Sequence, residues 1–124
     1  MRKKSRTLTE QELEIMKVVW DLGEATVRQV YEIERRDRQV AYTTTMTMMK
    51  ILEEKGYLEK SLDGRAFLYR PTRAKSEVVG VMVDDFVERV FNGAAGSLVL
   101  NLIKDRKLSG AELDELSRLV EEEA

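Results

Sequence analysis

The sequence predicts a mainly α-helical chain in two parts. Three short helices and one β-hairpin come first, and three further helices follow. Three observations predict this. Apolar residues recur at helical spacing up to about position 55 and again from about position 76. Between those stretches lie two short strand-like runs, with Asp63-Gly64 between them and the single proline, Pro71, behind them. The charge also divides. Residues 1–75 hold 16 Lys+Arg and 12 Asp+Glu, a net of +4, while residues 76–124 hold 5 and 11, a net of −6. The predicted domains are residues 7–72 and 75–123.

Thr9-Glu10-Gln11-Glu12 reads as a capping box, with Thr9 as N-cap and Glu12 reaching back. Leu13, Met16, Val19 and Trp20 carry the first helix to about Asp21, and Gly23 stops it. A second helix starts at Ala25-Thr26, with Val27, Val30, Tyr31 and Ile33 on one face, and reaches about Arg36. Polar residues 35–39 form a loop or a fraying helix end. A third helix begins near Tyr42-Thr43, turns Met49 and Leu52 inward, and ends at Lys55-Gly56. Tyr57–Ser61 and Ala66–Arg70 are the strands, with residues 62–65 as the turn.

The back half is helical again. Ser76-Glu77 opens a helix with more apolar positions than one stripe needs, broken at Gly93. A short apolar helix runs from Gly96 to about Asp105, with Leu98 and Leu102 on it. Ser109-Gly110-Ala111-Glu112 is another capping box, opening a helix with Leu113, Leu116, Leu119 and Val120. So much apolar surface on short helices implies a second copy of the chain. The candidate dimerisation residues are Val83, Phe86, Val87, Val90, Leu98, Leu102, Leu113 and Leu116.

Composition narrows the function. A chain of 124 residues holds one domain, or two very small ones. With no Cys and no His, it has no disulfide, no thiolate metal site and no Cys or His nucleophile or base. There is no glycine-rich phosphate loop, and Asp84-Asp85 and Glu121-Glu122-Glu123 read as solvated helix surface rather than a metal site. The expectation is a non-enzyme that needs no cofactor and no metal. No apolar run is long enough to span a membrane, and no signal core follows Met1-Arg2-Lys3-Lys4, so a cytoplasmic location is expected, without membrane insertion.

Three helices followed by a hairpin, in about 65 residues, suggest a winged helix-turn-helix. Its third helix would enter a major groove, and the hairpin would be the wing. Thr43, Thr44, Thr45 and Thr47 each offer a hydroxyl and a methyl for base edges. Tyr42 can reach a phosphate or a base, and Lys50 suits a phosphate. Arg65 at the wing tip, with Lys60 and Arg70 near it, suits the backbone or a minor groove. Read singly, the threonines also fit capping and turn chemistry, and a basic hairpin also fits a solvated edge.

The ordered motifs resemble the penicillinase-repressor family of winged-helix transcriptional repressors of beta-lactamase and methicillin-resistance genes. The resemblance is carried by Leu8-Thr9-Glu10-Gln11-Glu12-Leu13, Val18-Val19-Trp20 and Gly23-Glu24-Ala25-Thr26-Val27-Arg28. Ala41-Tyr42-Thr43-Thr44, Leu52-Glu53-Glu54-Lys55-Gly56 and the wing Asp63-Gly64-Arg65-Ala66-Phe67-Leu68-Tyr69-Arg70-Pro71 continue it, over about residues 7 to 121. It implies a homodimer held by the C-terminal helices, with two recognition helices in successive major grooves of a palindromic operator. Thr43, Thr44, Met46 and Thr47 fall on positions the family points at DNA. It also implies relief of repression by cleavage after an Asn, triggered by a membrane-bound sensor protease. Asn101, followed by Leu102, looks like that Asn, although the antibiotic-resistance repressors have Phe after it. Ile51 stands where the family often has Arg. The Cys-based copper-sensing mode of some relatives is excluded by the absence of Cys. Beside the repressor reading stands a second, a winged-helix protein-interaction module without operator specificity. Retardation of a palindromic promoter fragment on a gel separates the two.

Overall fold

A computed structural model describes residues 7–123 of the chain. The basic start at Met1 to Lys4 lies outside the described residues. The elements in order are α1 (Glu10–Leu22), α2 (Val27–Glu34), α3 (Tyr42–Glu54), β1 (Leu58–Asp63), β2 (Ala66–Pro71), α4 (Lys75–Phe91), α5 (Ala95–Lys104) and α6 (Gly110–Glu123). The chain is thus mainly helical with one hairpin, as predicted. It divides into two compact units between Met82 and Val83, inside α4.

In the first unit, local chemistry sets the helix ends. The Thr9 hydroxyl accepts from the Glu12 N–H at 3.2 Å, and the Glu12 carboxylate accepts from the Thr9 N–H at 2.8 Å. Gly23 ends α1 at φ 84, where a Cβ would be strained, and its N–H donates to the Val19 carbonyl. A capping box missed in the sequence opens α2, with Thr26 and Gln29 bonded reciprocally at 3.2 and 2.8 Å. Losing such a cap costs about 1 kcal/mol. By contrast, α3 follows Ala41 and has no side-chain cap.

The core forms where the three helices and the hairpin meet. Ile15, Met16 and Val19 of α1, Val30 of α2, and Met49 and Leu52 of α3 are fully or almost fully buried. Tyr57, Leu58 and Tyr69 join them from the hairpin side, and Val78 from the start of α4. Burying side chains of this size stabilises by about 1.5–3 kcal/mol each. The Trp20 indole N–H donates to the Arg73 carbonyl at 3.0 Å, tying α1 to the chain just after β2.

The hairpin differs from expectation in its register. Asp63 still pairs with Ala66, so the strands are longer and only Gly64 and Arg65 remain in the turn. Gly64 takes φ 65 at the first central position, where a two-residue hairpin turn demands glycine. Tyr57 precedes β1 and is buried instead. A third backbone segment joins the sheet. The Ala25 N–H donates to the Tyr69 carbonyl at 2.9 Å and the Tyr69 N–H to the Ala25 carbonyl at 2.8 Å. The sequence read Ala25 only as a helix start.

A buried ion pair crosses this unit. Lys55 Nζ lies 2.8 Å from Glu12 Oε1, and both side chains are more than nine-tenths buried. Burial pushes the Glu12 carboxyl up, but the bonds from Lys55 and Thr9 outweigh it, and it titrates below its ordinary 4.5.

The second unit holds the end of α4 with α5 and α6. Gly93, at φ 84, ends α4 and donates to the Val87 carbonyl. Ser109 and Glu112 form the predicted capping box at 2.9 and 3.1 Å. The Ser109 backbone N–H holds the Glu112 carboxyl below its ordinary value. Val83, Phe86, Val90, Leu113 and Leu116 are exposed. Leu98 and Leu102 are half-buried, and Val87 is buried within the chain itself.

Candidate nucleic-acid interface

The helical period of α3 decides which side chains can meet a ligand. Thr45, Met49 and Leu52 recur at spacings of four and three, and all three are fully buried. The opposite face exposes Tyr42, Thr43, Thr44, Met46, Thr47 and Lys50. The sequence groups Thr45 with the base-reading threonines, and the structure corrects this. Thr45 points into the core, where its hydroxyl donates to Glu34 Oε1 of α2 at 3.1 Å. A buried hydroxyl needs such a partner, because leaving it unpaired costs about 1–3 kcal/mol.

Between α3 and the hairpin lies an open groove of about 510 Å³. Its charged lining residues are Arg28, Lys50, Lys60 and Arg65, and no carboxylate lines it. Arg28 comes from α2, Lys50 from α3, Lys60 from β1 and Arg65 from the turn. Four cations of one sign in a concave surface focus a positive potential that attracts polyanions. Val27, Met46, Ala66, Phe67 and the rings of Tyr42 and Tyr69 supply the apolar part of the groove wall.

Several of these groups are held by aromatic contacts. The Arg28 guanidinium lies over the Tyr42 ring, 5.5 Å from its centre. Tyr31 meets the same ring edge-on at 5.4 Å. Lys60 sits 4.6 Å from the centre of the Phe67 ring and 3.5 Å from Glu53. Burial pushes the Tyr69 hydroxyl above its ordinary 10.0. Among the described residues, Lys50 and Arg65 have no ion pair, so both charges can meet an outside anion. Arg70, at the other end of β2, lies 3.4 Å from Glu24.

The sequence alone does not place Arg28 in the interface. Its signal was its position two residues after the N-cap Thr26, on the exposed side of α2. Its nearness to Tyr42 arises only when α2 packs on α3. Asn101 is exposed within α5, and the half-buried Leu102 follows it in the same helix. No group of three or more His, Cys, Asp or Glu side chains able to hold a metal ion occurs among the described residues. No helix among them is long and apolar enough to cross a membrane.

The family model described as penicillinase repressor matches residues 8–122. The chain is 33% identical over 120 residues to the penicillinase repressor of Bacillus licheniformis, spanning 97% of this chain and 94% of that protein. It is 26% identical over 120 residues to the methicillin resistance regulatory protein MecI of Mammaliicoccus sciuri, spanning 97% and 98%. Its fold resembles the solution structure of the monomeric form of Bacillus licheniformis BlaI in complex with the blaP half-operator. That likeness has a TM-score of 0.51 at 30% identity and covers 62% of this chain and 93% of the other.

Proposed function

The chain belongs to the penicillinase repressor family, and from this membership we propose that it is a homodimeric, DNA-binding transcriptional repressor. Residues 7–72 bind DNA and residues 75–123 dimerise. Each recognition helix, α3, enters a major groove of a palindromic operator, and the bound dimer covers the promoter and excludes polymerase. The protein acts by occupancy rather than by catalysis, in the cytoplasm, and antibiotic-resistance genes are its class of target.

The observation that carries this reading is the exposed face of α3 beside a groove whose charged walls are all cationic. Thr43, Thr44, Met46 and Thr47 read base edges, with hydroxyls for hydrogen bonds and apolar atoms for the thymine methyl. Tyr42, Lys50 and Arg65 hold the phosphate backbone, joined by Arg28 and Lys60. The second copy of the chain covers Val83, Phe86, Val90, Leu113 and Leu116, with Leu98 and Leu102 at the margin.

Release follows cleavage between Asn101 and Leu102 by a protease under the control of a membrane-bound sensor. That bond lies inside α5. A protease needs it locally unwound, so release depends on how readily α5 opens. The opening is eased at its start, where Ala94 supplies no side-chain cap.

The test is retardation of a palindromic promoter fragment at increasing salt. With about 6–10 phosphate contacts, affinity falls by ~10³–10⁵ between about 50 and 200 mM salt. A flat salt response overturns the reading. Failure to retard the palindromic fragment favours the winged-helix protein-interaction module without operator specificity.

A further inference from the structure

We propose that Thr45, Glu34 and Arg38 form a clamp that sets the rotation of α3 about its own axis, and so determines which base edges its exposed residues address. The inference rests on the repressor reading and adds to it positioning residues that do not themselves touch DNA.

The clamp stands where local capping is missing. The helices α1 and α2 both open on reciprocal capping boxes, whereas α3 opens on Ala41 without a side-chain cap. The start of α3 is therefore fixed from outside. Glu34 is the last residue of α2, and Thr45 lies one turn into α3. The Thr45 hydroxyl donates to Glu34 Oε1 at 3.1 Å, and Arg38 Nη2 donates to Glu34 Oε2 at 2.8 Å. The carboxylate is thus held on both oxygens, one side by the recognition helix and the other by the turn that leads to it.

Burial makes the bond directional in effect. Thr45 is completely buried and the Glu34 side chain is 4% exposed. A rotation of α3 that moved Thr45 away from Glu34 would leave a buried carboxylate oxygen short of a donor, which is costly in a low-dielectric interior. Thr44 and Met46 flank Thr45 and are both exposed. One residue is about 100° of helix, so even a fraction of a turn at Thr45 would re-aim its neighbours. An apolar residue at 45 would fill the same space without penalising rotation. Arg38 is the accessible half of the clamp, with its side chain 41% exposed.

The experiment uses full-length protein. A duplex enriched by the wild type from a random-sequence pool serves as operator, and a scrambled duplex of equal length as control. The readout is the ratio of the two affinities, with folding followed by circular dichroism. Thr45→Val keeps the shape and removes the hydroxyl, and is expected to lower the ratio by about tenfold while leaving scrambled-DNA affinity unchanged. Thr45→Ser, which restores the hydroxyl, is expected to restore the ratio. Arg38→Gln is expected to lower it in the same direction without disturbing the core. A folded Thr45→Val with an unchanged ratio overturns the clamp, as does a failure of Thr45→Ser to restore it. If Thr45→Val does not fold, Arg38→Gln decides, and an unchanged ratio there overturns it. A wild type that enriches no sequence overturns the repressor reading and the clamp together.

Discussion

Four threonines within positions 43–47 meet two fates. Thr43, Thr44 and Thr47 face outward, while Thr45 is sealed in the core against Glu34. The cluster was legible in the sequence, but its division was not. The spacing from 45 to 49 and 52 matches the buried face, yet a polar residue is assigned to a core only when its partner is known. Here the partner is eleven residues away, on another helix. The consequence for base reading is specific. Thr47→Ala should weaken operator binding by about 1–3 kcal/mol and leave binding to random DNA nearly unchanged. Competition titrations with both duplexes check it, and equal losses on both count against a base-reading role.

Lys55 shows the same limit in a charged residue. The sequence presented it as a cation at the end of a helix, and the structure sends it to the buried Glu12 of α1. Because the folded Glu12 titrates below 4.5, its contribution is fully present above that value. It is lost as pH falls through the lowered folded value. Lys55→Met removes the partner and leaves burial opposed only by the Thr9 bonds, so the carboxyl should rise from its lowered value. The expected loss is about 3–5 kcal/mol at pH 7, with part of it regained as the medium is acidified. Urea denaturation at both pH values measures it, and an unchanged midpoint at pH 7 overturns the account of this pair.

At the scale of elements, the hairpin was legible from Asp63-Gly64 and Pro71, while its register and its tie to Ala25 were not. Residues 24–26 carry no strand pattern, and the bridge exists only because Tyr69 is brought beside them. The tip that results presents Arg65 to solvent. Arg65→Ala should weaken operator and random DNA alike and reduce the salt slope by about one. Affinities measured across a salt series test this, and an unchanged slope removes the wing from the phosphate contacts. The C-terminal helices were legible as helices, because Gly93 and the Ser109 box mark their ends. Their purpose lies in what they leave uncovered. Leu98→Glu and Leu116→Glu should each give monomers in sedimentation and abolish operator binding. Retained dimers in both variants overturn that surface.

For the whole molecule, the net charge of −2 conceals two opposite parts. The basic part carries the groove, where position rather than total decides. Arg28, Lys50, Lys60 and Arg65 are its charged lining, while Lys17 and Arg35 of the same part lie outside it. Pairing does not separate the two sets, since Arg28 and Lys60 lie near Glu32 and Glu53 just as Lys17 and Arg35 lie near Glu14 and Glu32. Charge counting could divide the chain but could not tell these groups apart, because the difference depends on how helices and hairpin pack.

The open leucines, valines and phenylalanine of the second unit carry a final consequence, which concerns dosage. If a second copy covers this surface, as proposed, the active species depends on the square of the chain's own concentration when monomers predominate. Repression would then respond more steeply than abundance does. A modest rise in turnover, or cutting of a minority of chains, would clear a promoter out of proportion to the protein lost.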